Sequence, residues 1–177
     1  MTPAAFNKAA RRIKLLVFDV DGVLTDGGLY YGPDGEAFKR FNVKDGHALV
    51  MARLTGLPSA VLTARTSKIV AIRGEELKLA AVLQGQKYKK PGLQTLCSSL
   101  GFTPADCAYM GDDTNDLPPM ETAGLSACPA DAAIEVRQLA DFVSKFDGGH
   151  GAVRDFVERV LKAQGRWQQA LDAMRNA

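Results

Sequence analysis

The sequence predicts an α/β domain in which helices cover both faces of a parallel β-sheet. Short apolar runs of strand length recur along its 177 residues, and amphipathic segments of helix length separate them. Strands that alternate with helices in this way form parallel sheets, because each helix returns the chain to the edge where the next strand begins. The length is typical of one compact domain, and we expect residues 1–177 to form a single unit.

Six apolar runs are predicted as strands, and five amphipathic segments are predicted as helices. The strands are expected at residues 14–19, 59–63, 80–83, 107–110, 125–128 and 141–143. The helices are expected at residues 48–55, 67–77, 92–100, 132–139 and 152–161. The first twelve residues are predicted as a loose or helical lead-in, and residues 165–177 as a tail that is either a short helix or mobile.

One segment interrupts the alternation of strands and helices. Residues 28–31 and 36–41 flank Gly32-Pro33-Asp34-Gly35, a turn composition that predicts a β-hairpin. An isolated hairpin is only marginally stable in water, and its open edges favour pairing with other chains. We therefore expect this insertion after the first strand to pack against copies of itself in an oligomer.

Composition argues against several classes of protein. Hydrophobic residues make up 46% and charged residues 24%, and a formal net charge of +2 is too small to predict a nucleic-acid partner. No apolar run approaches the roughly 20 residues that span a membrane, and the first run, interrupted at Asp19, is too short for a secretory signal. We therefore expect a cytoplasmic protein without a membrane partner. The three cysteines form no CxxC pair and are expected to be reduced, mostly buried thiols: Cys97, Cys107 and Cys128.

Two carboxylates one residue apart follow the first predicted strand. They belong to the sequence Asp19-Val-Asp-Gly-Val-Leu-Thr-Asp26, in which Gly22 permits a tight turn that brings backbone amides toward an anion. A carboxylate here can bind a hard cation, act as a nucleophile, or do both. The ordinary alternative is a polar strand end followed by a turn, where Asp and Gly are common.

A second acidic cluster follows the fourth predicted strand. The segment Gly111-Asp-Asp-Thr-Asn-Asp116 contains three carboxylates, whose mutual repulsion requires a cation or a hydrogen-bond network. Oxygen ligands without an accompanying His or Cys favour Mg²⁺. Alternatively, Asp113 and Asp116 complement the dipole of a helix that begins here.

Thr63 and Lys89 add a hydroxyl and a cation to the same edge of the predicted sheet. Singly, a Thr at a strand end is usually a cap and a Lys is usually a solvated surface residue. Together, an acid pair, a hydroxyl, a lysine and an acid cluster follow successive strands, and the carboxyl ends of parallel strands form one ligand-binding edge. At that edge Thr63 can donate to a phosphoryl oxygen, and Lys89 can neutralise both a nucleophile and a phosphoryl group.

This ordered set resembles the haloacid dehalogenase superfamily of phosphotransferases, from about residue 15 to about residue 165. The resemblance implies a Rossmann-like fold and a Mg²⁺-dependent phosphatase. It implies that Asp19 attacks phosphorus to form an aspartyl-phosphate, and that Asp21 protonates the leaving oxygen and later activates water. It also implies that an Asp19 oxygen, the Asp21 backbone carbonyl and Asp112 hold Mg²⁺. Asp113 and Asp116 would brace these ligands from behind.

Within this superfamily the chain resembles members without a cap domain. About forty residues separate Asp21 from Thr63 and about twenty-five separate Thr63 from Lys89, which leaves no room for a cap beside the expected strands, helices and hairpin. Another element must then exclude water and select the substrate. The hairpin of a neighbouring subunit is the candidate that the sequence offers.

Four segments narrow the resemblance to the family of 3-deoxy-D-manno-octulosonate 8-phosphate phosphatases: residues 19–27, 41–47, 62–65 and 148–154. The family is capless and tetrameric, with its hairpins in a central β-barrel, and it acts in lipopolysaccharide sugar synthesis in Gram-negative bacteria. The resemblance implies a homotetramer and a small sugar-acid phosphate as substrate. The residues that it implies contact this substrate are Asp21, Asn42, Val43, Lys44, Asp45, Gly46, Arg65, Arg73 and Lys89.

Two positions depart from this family and leave alternatives open. Relatives often have Gly where this chain has Ala64, and a basic residue where it has Val50. The second change removes a possible substrate contact, so a phosphatase for a nine-carbon sialic-type sugar acid 9-phosphate is the alternative. A phosphorelay receiver also combines acids, a hydroxyl, a lysine and Mg²⁺, but it lacks the second acidic cluster. An inactive structural homologue is disfavoured because all the core acids are present.

Overall fold

The computed structural model describes residues 1–175; residues 176–177, the end of the predicted C-terminal tail, lie outside the described part. From the N-terminus, the strands are β1 (Leu15–Phe18), β2 (Tyr30–Gly32), β3 (Gly35–Phe38), β4 (Ser59–Leu62), β5 (Ala81–Leu83), β6 (Cys107–Met110), β7 (Leu125–Cys128) and β8 (Phe142–Val143). All except β2 and β3 form one parallel sheet in the order β5-β4-β1-β6-β7-β8. The predicted α/β fold is therefore confirmed.

The helices connect the strands and cover both faces of the sheet. They are α1 (Pro3–Ala10), α2 (Val43–Leu54), α3 (Lys68–Leu77), α4 (Lys89–Ser99), α5 (Leu117–Met120), α6 (Ile134–Leu139), α7 (Ala152–Ala163) and α8 (Trp167–Arg175). The C-terminal segment is thus helical as far as Arg175. None of the helices among residues 1–175 is long and apolar enough to cross a membrane.

Side chains of β1 alternate between two hydrophobic cores, one on each face of the sheet. Leu16 and Phe18 pack in the core formed with α1, α2, α3, α7 and α8, whereas Leu15 and Val17 pack in the core formed with α4, α5 and α6. All four side chains are fully buried. The three cysteines are also buried and free, as the sequence predicted. Burial of β1 on both faces fixes where the strand ends, and therefore where Asp19 lies.

Two helices begin earlier than the sequence predicted, and both corrections affect site residues. The side chain of Asn42 accepts a hydrogen bond from the Lys44 amide at 2.8 Å, so α2 begins at Val43 rather than at residue 48. Helix α4 begins at Lys89 rather than at residue 92, because a proline in the first turn of a helix removes no intrahelical hydrogen bond. Lys89 is therefore a helical residue with a fixed direction.

The predicted β-hairpin is present as β2 and β3, shorter than the expected span of residues 28–41. The rings of Tyr30 and Phe38 stack with their centroids 4.3 Å apart, and a bridge between Thr25 and Phe41 closes the base of the hairpin. The hairpin pairs with no other strand in the described chain. Large apolar surfaces stay exposed on it, and they belong to Leu29, Tyr31 and Phe38.

Candidate active site

Asp19 and Asp112 lie together because β1 and β6 are neighbours in the sheet. The Asp19 amide donates to the Met110 carbonyl at 3.0 Å, and the Asp19 side chain is almost entirely buried. The chain then turns at Gly22, whose φ of +85° favours glycine. A Cβ atom at this position would lie 2.0 Å from Asp112 Oδ2, so glycine also lets the two acidic segments touch.

Lys89 joins the two acidic segments through its ammonium group. Its Nζ lies 2.5 Å from Asp19 Oδ2 and 2.6 Å from Asp116 Oδ1, and its side chain is fully buried. Burial lowers the pKa of Lys89, but the charges of Asp19 and Asp116 outweigh this effect and raise it above its ordinary value. Lys89 is therefore a fixed positive charge against the carboxylate of Asp19.

Asp116 supports the second acidic segment by accepting hydrogen bonds on both carboxylate oxygens. Oδ1 accepts from Lys89 and from the Tyr109 hydroxyl at 2.7 Å, and Oδ2 accepts from the amide of Asp112 at 3.0 Å. Asp113 is exposed, and its side chain accepts from the Thr114 amide at 2.7 Å. Asp116 thus holds the backbone of Asp112 in place, whereas Asp113 caps the turn that follows, and the support of a metal ion by either residue stays a prediction.

Three buried or half-buried carboxylates form a candidate metal site. Asp19, Asp112 and Asp116 each have an oxygen within 4.8 Å of the others. Burial, followed by repulsion from Asp116 and Asp19, raises the pKa of Asp112 to about 8. Burial and Asp116 also raise the pKa of Asp19 to about 6. A cation would relieve this cost, and an oxygen-only donor set suits Mg²⁺. Asp19 and Asp112 line the cleft, whereas Asp116 is fully buried and does not, so Asp19 and Asp112 are the carboxylates that fit the cation.

We expect Mg²⁺ to raise the melting temperature more at about pH 8.5 than at about pH 6. Because the pKa of Asp112 is raised to about 8, its ionised form destabilises the metal-free folded state. The folded state therefore loses stability as the pH rises from the ordinary pKa of an aspartate to about 8. A cation compensates for this loss only once the carboxylate is ionised. Thermal denaturation with and without Mg²⁺ measures the difference. Equal increases at both pH values, or an increase retained by Asp112→Asn, would contradict this expectation.

Asp21 contacts two cations that come from different parts of the chain. Lys39 Nζ donates to Asp21 Oδ1, and Arg65 Nε lies 3.6 Å from Asp21 Oδ2. Lys39 also lies 3.0 Å from Glu36, its neighbour on the hairpin. Sequence reasoning missed Lys39 and Glu36. The only available signal was a pair of opposite charges three residues apart, and the hairpin has apolar residues on both faces, which left its orientation undetermined.

A cleft of about 300 Å³ opens over these groups. The residues that line it include Asp19, Asp21, Thr63, Arg65, Asp112 and Asn115. Its size is that of a small-molecule site. The structure therefore brings together the nucleophile, acid–base, hydroxyl and metal-binding candidates, with Lys89 against Asp19.

The other predicted substrate contacts lie outside this cleft in the single chain. Asn42 caps α2 and donates to the Gly149 carbonyl at 3.2 Å, while Asp45 accepts from the Gly151 and Arg154 amides at the start of α7. Arg73 pairs with Glu76 at 2.8 Å. These contacts give Asn42, Asp45 and Arg73 structural roles within the chain. Substrate binding by these three residues stays a prediction, as it does for Val43, Lys44 and Gly46.

The fold and the site together define a class of hydrolase. Residues 59–156 match the haloacid dehalogenase-like hydrolase family, and the chain belongs to this family. One relative, the 3-deoxy-D-manno-octulosonate 8-phosphate phosphatase of Escherichia coli, is 41% identical over 161 residues, which cover 91% of this chain and 86% of that protein. The phosphatase of the same name from Salmonella typhimurium is 40% identical over 96% of this chain and 90% of its own length.

Solved structures give the same result. A 3-deoxy-D-manno-octulosonate 8-phosphate phosphatase from Moraxella catarrhalis, in complex with magnesium, phosphate and KDO, superposes with a TM-score of 0.92 at 35% identity. The match covers 96% of this chain and 98% of that one. The cobalt-bound phosphatase from Haemophilus influenzae gives 0.88 at 37% identity, over 92% and 98% of the two chains. The family resemblance predicted from the sequence is confirmed.

Proposed function

We propose that this protein hydrolyses 3-deoxy-D-manno-octulosonate 8-phosphate to the free sugar acid and inorganic phosphate, with Mg²⁺ as cofactor. The observation that carries the proposal is the buried Asp19 carboxylate held 2.5 Å from Lys89 beside Asp112, in a chain 41% identical to a phosphatase for that substrate. We place the reaction in lipopolysaccharide sugar synthesis in the cytoplasm, as the resemblance implies.

The proposed reaction has two displacements at phosphorus. In the first, an Asp19 oxygen attacks, the bond from phosphorus to the sugar oxygen breaks, and Asp21 gives its proton to that oxygen. In the second, Asp21 takes a proton from water, the water oxygen attacks the aspartyl-phosphate, and the Asp19 carboxylate is regenerated. Lys89 neutralises the charge on Asp19 and on the transferring group. Asp19, Asp112 and the Asp21 carbonyl would hold Mg²⁺, which supplies further positive charge.

Arg65 is the proposed contact for the carboxylate of the sugar acid. Its side chain lines the cleft and is 39% exposed, so its guanidinium can reach a bound ligand. A guanidinium binds a carboxylate through two parallel hydrogen bonds, which a neutral sugar cannot offer. The Arg65 side chain at present donates to the Tyr31 hydroxyl at 3.1 Å, which orients it from the hairpin.

A phosphate-release screen with Mg²⁺ tests the substrate assignment. The panel contains the eight-carbon sugar acid 8-phosphate, a nine-carbon sialic-type sugar acid 9-phosphate and a hexose phosphate. We expect the unmodified protein to have its highest kcat/KM with the eight-carbon substrate. In Arg65→Met we expect the ratio of kcat/KM for this substrate to kcat/KM for the hexose phosphate to fall. Preference for the nine-carbon substrate would support the alternative assignment. Preference for the hexose phosphate would contradict both.

We further propose that the protein is a homotetramer assembled through its hairpins. The exposed fractions of Leu29, Tyr31 and Phe38 are 51%, 63% and 56%. Contact between hairpins of different chains would remove this apolar surface from water. Light scattering should give the mass of four chains, and Phe38→Asp should lower it. Ile134→Asp is the matched control, because Ile134 is 58% exposed on α6, outside the hairpin. A monomeric mass for the unmodified protein would contradict the proposal.

A further inference from the structure

We propose that Lys39, on the hairpin, is a positioning residue for Asp21, and that the hairpin thereby assists protonation of the leaving group. The inference rests on the acid–base role proposed for Asp21, but it does not depend on which sugar acid is the substrate. It gives the hairpin a part in the chemistry beyond any role in assembly.

The burial of Lys39 is the first observation. Its side chain is 1% exposed, although lysine is rarely buried unless it is paired. Both contacts of its ammonium group are acidic: Asp21 Oδ1, and Glu36 Oε1 at 3.0 Å. Lys39 contributes to the wall of a second groove rather than to that of the catalytic cleft. Lys39 therefore contacts Asp21 from the side that faces away from the catalytic cleft.

The surroundings of Lys39 form a network that fixes Asp21 from two sides. Arg65 approaches the other oxygen of Asp21 and lies 3.8 Å from Glu36. Glu36 also accepts a hydrogen bond from the Ser67 hydroxyl, which caps α3. Each oxygen of Asp21 thus faces a cation, and both cations contact the same hairpin carboxylate. The position of Asp21 depends on the docking of the hairpin.

This arrangement suits the proton transfer proposed for Asp21. As the bond from phosphorus to the sugar oxygen breaks, the proton moves from Asp21 to that oxygen, and negative charge appears on the Asp21 carboxylate. Lys39 and Arg65 already face the oxygens on which it appears. The two contacts also hold the Asp21 carboxyl group in one orientation, so that its proton can be directed at the leaving oxygen without a search among rotamers. The benefit is largest when the leaving oxygen is strongly basic.

The test compares leaving groups in Lys39→Met. Relative to the unmodified protein, kcat/KM should fall by about 10²-fold for the sugar-acid phosphate or another alkyl phosphate, within the range of general acid catalysis. For p-nitrophenyl phosphate, whose leaving group needs no proton, the loss should stay below about 3-fold. Lys39→Gln, which keeps a donor without the charge, should behave similarly, and Lys39→Arg should recover part of the loss. Lys162→Met, which removes a surface ion pair with Glu158, is the matched control.

A second comparison places Lys39 upstream of Asp21. In an Asp21→Asn background, adding Lys39→Met should change kcat/KM by less than about 2-fold, because residues that act as one unit are not additive. Equal losses for all leaving groups, or a full additional loss in that background, would overturn the proposal. An unmodified protein that releases no phosphate from sugar-acid phosphates would instead contradict the proposed function, and the leaving-group series with other phosphates would still decide the role of Lys39.

Discussion

Asp19→Asn is expected to lower phosphate release by at least about 10³-fold while the protein stays folded. An amide cannot form the acyl phosphate that the proposed mechanism requires. The substitution also removes a charge that is costly in this position, because burial raises the pKa of Asp19 to about 6. The loss should therefore appear in kcat at saturating Mg²⁺, without a comparable loss of stability.

Glu121→Gln provides the control for this substitution. Glu121 is an exposed acid at the end of α5, outside the cleft and the hairpin, and its replacement also changes a carboxylate into an amide. Steady-state phosphate release and thermal denaturation should leave the control close to the unmodified protein. Turnover by Asp19→Asn within about tenfold of the unmodified enzyme would exclude Asp19 as the nucleophile.

Lys89→Met is expected to reduce both activity and stability. Removing one member of a buried ionic cluster leaves Asp19 and Asp116 close together without their cation, which costs about 3–5 kcal/mol. The loss of positive charge next to phosphorus should also lower kcat by about 10²-fold or more. Mg²⁺ should restore part of the stability, because it neutralises the same carboxylates.

The adjacent Lys90 is the matched control, since it is exposed in the first turn of α4. Denaturant unfolding and steady-state kinetics of Lys89→Met and Lys90→Met should separate the two lysines clearly. If Lys89→Met kept the stability and activity of Lys90→Met, the central role assigned to the buried ammonium group would be wrong.

The positions of the catalytic candidates could be predicted because they follow strands of a parallel sheet. Each buried apolar run determines where its strand ends, and the carboxyl ends of such strands converge. Asp19 after β1, Thr63 after β4 and Asp112 after β6 reach one cleft for this reason. The same topology predicts that Lys89 lies near this edge of the sheet. It does not predict that Lys89 is the first residue of α4.

The hairpin could not be oriented from the sequence. Its side chains alternate between two faces, but their environment depends on how the hairpin docks against the sheet. The contact of Lys39 with Asp21 and those of Glu36 with Arg65 and Ser67 are long-range consequences of that docking. Likewise, nothing local distinguishes Arg65, which reaches the cleft, from Arg73, which packs 5.8 Å from the ring of Phe41.

The most direct test of the mechanism is to identify the phosphorylated residue during turnover. In Asp21→Asn the first displacement with p-nitrophenyl phosphate needs no proton donor, whereas the second lacks its base. Acid-quenched Asp21→Asn, digested and analysed by mass spectrometry, should therefore carry one phosphoryl group on the peptide that contains Asp19, and only when Mg²⁺ is present. A phosphoryl group on another residue, or continued turnover by Asp19→Asn in the same assay, would contradict the mechanism.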